Sequence, residues 1–416
     1  MFRKWFLIII LLIGAAILTG YLLANGFDWP FPKQSAQQQQ NDNAEEEQQE
    51  KPDPIQEQLN SLTLEEKIGQ MVMVGIEGKM LGDDAKQLIQ QHHVGGIILF
   101  KRNIDNPAQT LSLINELKRV NSAKKIPLFL SVDEEGGRVS RMPAQLKKLP
   151  SSGRIGEVND SEISFEIGRL LGQELRAFGF NMDFAPVLDI NSNPNNPVIG
   201  DRSFGTTPEL VSRLGLQIMK GLQSQNVISV VKHFPGHGDT SVDSHIGLPS
   251  VYHDYERLKS FELIPFADAV TNNADAVMIA HILLPNIDPE HPASLSRAVI
   301  TDILRKDLNF QGVVITDDLT MGAITNNYGL GEAAVKAVTA GSDIVLVCHS
   351  MEMEMQVINA LTKAVEAGQI STERVDESVY RILKLKQKYQ LSDEPVESVD
   401  IDQINRDIER VLSRFW

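Results

Sequence analysis

Val227-Ile228-Ser229-Val230-Val231-Lys232-His233-Phe234-Pro235-Gly236-His237-Gly238-Asp239-Thr240-Ser241-Val242-Asp243-Ser244-His245 is an apolar run that passes directly into a glycine-rich polar loop. Three of the chain's nine histidines fall between Lys232 and His245, together with a lysine and two aspartates. A buried strand that delivers polar groups at its C-terminal end is how a (β/α)8 barrel builds a site at its mouth. Working outward, similar apolar runs recur at Met71–Val74, Gly96–Phe100, Pro127–Val132, Met182–Val187, Ala276–Ala280, Gly312–Ile315 and Ile344–Val347. Helical patterns lie between them, at Pro107–Val120, Ser161–Phe178, Pro208–Gln223, Leu258–Val270, Arg297–Leu308 and Gly331–Ala340. Alternation of this kind predicts an α/β fold, a (β/α)8 TIM-like barrel in one catalytic domain. A doubly wound open sheet is the alternative, but no glycine-rich phosphate loop follows the first strand.

The domain is expected over residues 55–395, with a short helical tail at 396–416. Thr63 followed by Glu66 predicts a capping box at the start of an early helix. Ahead of the domain, residues 27–54 are rich in Gln and Glu and too poor in apolar residues to offset the entropy of ordering, so they read as a disordered linker. Residues 1–26 hold Arg3 and Lys4 and then an uncharged run from Trp5 to Ala24. That is roughly the twenty apolar residues needed to cross a bilayer. The basic flank predicts an N-terminus inside and a domain outside the cytoplasm. Leu22 stands where a signal-peptide cleavage site wants a small residue, so an uncleaved single-pass anchor is expected; cleavage would secrete the domain.

A net charge of −16 argues against nucleic acid as a partner. The only cysteine, Cys348, excludes an intrachain disulfide and a cysteine-based metal site.

Several strand ends carry polar groups: Asp133, Asp189, Lys232 with His233, His281, and Asp317 with Asp318. Along the strand Val313-Val314-Ile315-Thr316-Asp317 side chains alternate, so Asp317 aims into the mouth and Asp318 away from it. Asp317 could attack an electrophilic carbon or stabilise a cationic transition state. Asp243 and His245 stand two apart in an extended loop, close enough for the carboxylate to orient the imidazole as a proton carrier. The loop also offers zinc or iron ligands. Metal-dependent amidohydrolase barrels, however, place a His-x-His on the first strand, and Met71–Val74 has none, so no metal and no cofactor are expected.

Lys232-His233-Phe234-Pro235-Gly236-His237-Gly238 followed by Asp243-Ser244-His245 resembles the signature of bacterial β-N-acetylglucosaminidases of glycoside hydrolase family 3. The resemblance extends to Asp133-Glu134-Glu135-Gly136-Gly137-Arg138 with Arg141, to Gly200-Asp201-Arg202-Ser203-Phe204-Gly205, and to Thr316-Asp317-Asp318-Leu319-Thr320-Met321. It implies Asp317 as nucleophile, His245 as acid/base with Asp243 as its partner, and Asp133, Arg141, Arg202, Lys232 and His233 as sugar-binding residues. It also implies a retaining, exo-acting enzyme on N-acetylglucosamine-containing cell-wall glycans or muropeptides. Another β-glycosidase of the family, or a glycoside phosphorylase, is the alternative. Glu134 replaces the family's usual Gln, and is expected to add a charge beside the sugar.

Overall fold

The computed structural model describes residues 53–415. The strands, in chain order, are β1 Val72–Val74, β2 Gly96–Leu99, β3 Phe129–Val132, β4 Met182–Asp183, β5 Ile228–Phe234, β6 Ala276–Ile279, β7 Leu283–Leu284, β8 Asp288–Pro292, β9 Val313–Asp318 and β10 Ile344–Val347. Eight of them close into a barrel in the order β1-β10-β9-β6-β5-β4-β3-β2. Val72 opposite Val345 completes the ring, in parallel. The remaining pair, β7 and β8, forms a separate antiparallel hairpin in the connection from β6 to β9. The fold is thus the expected (β/α)8 barrel.

Strand ends differ from expectation where the site begins. The apolar run predicts a strand that stops at Val231, yet β5 continues through Lys232, His233 and Phe234. Likewise β9 continues through Asp317 and Asp318. Neighbouring strands supply the hydrogen bonds there, so pairing rather than hydrophobicity sets the ends.

Helices form where local chemistry caps them. Thr63 Oγ1 accepts the Glu66 N–H at 3.3 Å while Glu66 Oε2 accepts the Thr63 N–H at 2.9 Å, the expected capping box. One expected helix, Leu258–Val270, is two: Tyr255–Ser260 and Ile264–Thr271. Pro265 has no N–H to give a carbonyl one turn back, so the chain breaks at Phe261 and restarts with the proline in a first turn.

Inside the barrel Gly96 is required by packing: a Cβ there would lie 2.7 Å from the Phe129 Cβ and 2.8 Å from the Met73 Cε. The N-terminal end of the strands is sealed by the helix Thr372–Lys388. Its Lys386 donates to Gln70 Oε1, Gly95 O and Pro127 O at 2.7–2.8 Å. Fully buried Asp343 accepts from Arg305, Arg381, Ser378 and the Val314 N–H there.

The expected anchor, and the expected linker as far as residue 52, lie outside the described residues. Among the described residues no helix is long and apolar enough to cross a membrane.

Candidate active site

At the C-terminal end of the strands lies a cavity of 420 Å³, lined by Asp133, Arg141, Arg202, Lys232, His233, His245 and Asp317 among others. That volume is in the range of small-ligand sites. Asp243, the remaining expected residue, stands behind His245 rather than in the wall.

One half of the cavity is a network of buried charge. Asp133 and Glu135, two apart beyond β3, both reach Lys232, whose Nζ lies 2.6 Å from Asp133 Oδ1 and 2.7 Å from Glu135 Oε1. Arg202 grips Glu135 with both arms of its fork, at 2.7 and 2.8 Å. Burial alone would raise Glu135, but Arg202 and Lys232 outweigh it and hold the carboxyl well below the usual range. Burial would lower Lys232, yet Asp133 and Glu135 raise it, so the ammonium stays charged. Asp189, at the end of the β4 segment, fixes the next residue: its Oδ2 lies 2.6 Å from His233 Nδ1, and its Oδ1 accepts the His237 N–H at 2.7 Å. With Nδ1 so engaged, His233 presents Nε2, which lies 3.4 Å from Arg202. The Arg141 guanidinium has no ion pair among the described residues, and is free to meet a ligand. Lys232–His233 and Phe234–Pro235 are cis peptides.

The other half holds Asp317 and His245. Burial pushes Asp317 up, but His281, His233 and the Asp318 N–H donating to it at 2.8 Å win, and its carboxyl lies below the usual range. It is therefore an anion. Asp318, expected to aim away from the mouth, also borders the cavity, but its carboxylate is taken up by Thr320 N and Oγ1 (2.9 and 2.6 Å) and Cys348 N (3.1 Å). Buried His281 sits behind β9 and hydrogen-bonds the Asp318 carbonyl at 2.9 Å.

His245 is exposed, and its Nδ1 lies 2.8 Å from Asp243 Oδ1, which also accepts the His245 N–H at 2.9 Å. Burial raises Asp243, but the His245 N–H and ring hold it below its ordinary value. Ionised Asp243 therefore accepts a hydrogen bond from Nδ1–H, which leaves Nε2 as the uncommitted ring nitrogen of a histidine that lines the cavity. The loop is docked on the segment after Asp317: Gly322 N donates to His245 O at 3.3 Å and Ala323 N to Ser244 O at 3.0 Å. Gly238 allows the loop to lie flat on the β4 segment, since a Cβ would fall 1.6 Å from Ile190 O.

The loop's potential metal ligands diverge onto separate partners. His233 meets Asp189, His237 meets Thr240 (2.7 Å), Asp239 pairs with His253 (2.8 Å), and Asp243 with His245. Burial and the neighbouring His233 push His237 down to about 4, so it is neutral at physiological pH.

Two site residues went unassigned in the sequence: Glu135, the hub between Lys232 and Arg202, and Asp189, the holder of His233. The first was detectable, because residues two apart beyond a strand share a face and Asp133 already pointed inward. Glu134 corrects an expectation. It does not line this cavity but is buried outside it, where Oε2 accepts the N–H groups of Arg141 (2.6 Å) and Met142 (3.2 Å). Asp183 and Glu174 are buried with it, and burial pushes Glu134 up to about 7. It is therefore not a charged group of the cavity wall.

A closed barrel with an ionised strand-end carboxylate and a carboxylate-held histidine at one mouth is the build of a barrel enzyme. Residues 63–385 match the glycosyl hydrolase family 3 N terminal domain, and the chain belongs to that family. It is 35% identical over 367 residues to Beta-hexosaminidase A of Pseudoalteromonas piscicida, an alignment spanning 79% of this chain and 61% of that protein. It is 39% identical over 290 residues to the Beta-hexosaminidase of Neisseria meningitidis serogroup C, covering 68% of this chain and 79% of that one. The solved structure of a glycoside hydrolase family 3 beta-N-acetylglucosaminidase from Paenibacillus sp. superposes with a TM-score of 0.80 at 46% identity, covering 84% of this chain and 68% of that chain.

Proposed function

We propose that the protein is a retaining β-N-acetylhexosaminidase that removes terminal non-reducing N-acetylglucosamine from peptidoglycan fragments. The observation that carries this reading is one cavity shared by the Asp317 anion, the Asp243-held His245 and the Lys232–Asp133–Glu135–Arg202 network. The hexosaminidase names of its relatives support the substrate class.

In this mechanism Asp133, Arg141, Arg202, Lys232 and His233 orient the sugar hydroxyls with charged, directional partners. Asp317 attacks the anomeric carbon while the His245 imidazolium gives its Nε2 proton to the leaving oxygen. Neutral His245 then takes a proton from the water that displaces Asp317, and the imidazolium is restored. Retaining glycosidases usually pair two carboxyl groups, so a histidine acid/base departs from the common scheme. The N-terminal apolar segment would hold the domain outside the cytoplasmic membrane, beside the cell wall.

The test is to incubate the purified chain with N-acetylglucosaminyl-N-acetylmuramic acid fragments and identify the products. Free N-acetylglucosamine, released first as the β-anomer and unaffected by a chelator, is the expected result. Release only as the sugar 1-phosphate, and only with phosphate present, would convert the reading to a phosphorylase. Absence of any release would overturn it.

A further inference from the structure

Five large apolar side chains stand out into solvent among the described residues: Met80, Val242, Ile246, Tyr252 and Met353. Ile246 follows the proposed acid/base directly and is 75% exposed. It is not on a loose tip. Ile246 N and Gly247 N both donate to Asp243 O, at 2.9 and 3.1 Å, and Asn326 Nδ2 donates to Ile246 O at 3.1 Å. Val242 lies against the same turn, its Cγ1 3.8 Å from where a Gly247 Cβ would be. The backbone thus holds two branched aliphatic side chains beside the histidine, facing water. The carboxylates of this loop are both paired, Asp239 with His253 and Asp243 with His245.

An acid that protonates the glycosidic oxygen must sit within hydrogen-bond reach of it. The leaving half of the substrate therefore passes over whatever neighbours that acid on the solvent side. We infer that Val242 and Ile246 form an apolar platform for the leaving group, selecting aglycones that can lay a sugar-ring face or an alkyl chain on it over aglycones too small to reach it. This rests on the proposed role of His245 and adds the specificity of its leaving-group side.

The experiment compares two substrates on the full chain, both of which need the proton of His245: the N-acetylglucosaminyl-N-acetylmuramic acid disaccharide, and methyl β-N-acetylglucosaminide, whose one-carbon leaving group is too small to reach the platform. In the double variant Val242→Ser, Ile246→Ser, the ratio of kcat/KM on the disaccharide to kcat/KM on the methyl glycoside is expected to fall roughly tenfold, the scale of a few lost aliphatic contacts. Ile246→Leu should restore most of it, and Met80→Ser should leave the ratio as it was. Equal losses on both substrates would show a structural role for the turn and overturn the inference, as would an unchanged ratio. If the unsubstituted chain turns over neither compound, the functional reading itself fails and takes this one with it.

Discussion

The two ends of the barrel bury the same kinds of charge and use them differently. At the N-terminal end, Asp343 is enclosed by Arg305, Arg374 and Arg381, and Lys386 by three oxygens, so each buried group meets a complete set of protein partners. At the mouth, Lys232, Asp133, Glu135 and Arg202 pair with one another while lining open space, and Arg141 beside them has no ion pair among the described residues. Buried ion pairs with full partner sets hold a structure in one geometry. Those with valences left over, facing a cavity, bind something. Residue type alone does not separate the two; closure does.

The largest effect expected is at the mouth. Asp317→Asn should lower kcat on the order of 10⁴-fold while leaving the melting temperature in place. Turnover within tenfold of the parent would remove Asp317 from the nucleophile's role. At the opposite end the pattern should invert. Asp343→Ala leaves Arg305 without its counter-ion and Arg374 and Arg381 with only their longer contacts to Glu377, and should cost about 3–5 kcal/mol of stability, read by urea unfolding, with kcat of the folded fraction retained. A large fall in kcat at unchanged stability would break the division between the ends.

Smaller changes sharpen it. Asp243→Asn should lower kcat roughly a hundredfold on substrates that need a proton. Glu134→Gln tests a group that is buried beside the mouth but outside the cavity. Glu134 has an ordinary value of 4.5 and is pushed up to about 7 by burial, so the folded protein keeps a proton that the unfolded chain releases. Stability should therefore fall as pH rises from about 4.5 through 7, and the glutamine should remove part of that fall. We expect Glu134→Gln to be more stable by about 1–3 kcal/mol at pH 8, with the gain gone by pH 4. The amide N–H can meet the Asp183 Oδ2, which is buried without a partner. A gain that grows toward acid would contradict the assignment.

Much of this was legible in the chain itself. Eight apolar runs spaced by helical patterns specify a barrel, because strands buried on both faces leave a hydrophobic signature that loops cannot mimic. The Asp317/Asp318 choice followed from strand alternation, yet both residues border the cavity; what separates them is that Thr320 and Cys348 occupy the Asp318 carboxylate. The break at Phe261 was also available, since Pro265 is visible in the sequence, but an apolar helical period outweighed it.

What the sequence determined by itself was the set of groups and their order along the barrel, because hydrophobic period and turn chemistry are local. Partnership was decided only by the tertiary structure. Glu134 and Glu135 are adjacent and chemically alike, yet one is pushed toward protonation among carboxyl groups and the other is held ionised by Arg202 and Lys232. A carboxyl group's state depends on what lies within a few ångströms across the fold, and Arg202 reaches Glu135 from 67 residues away.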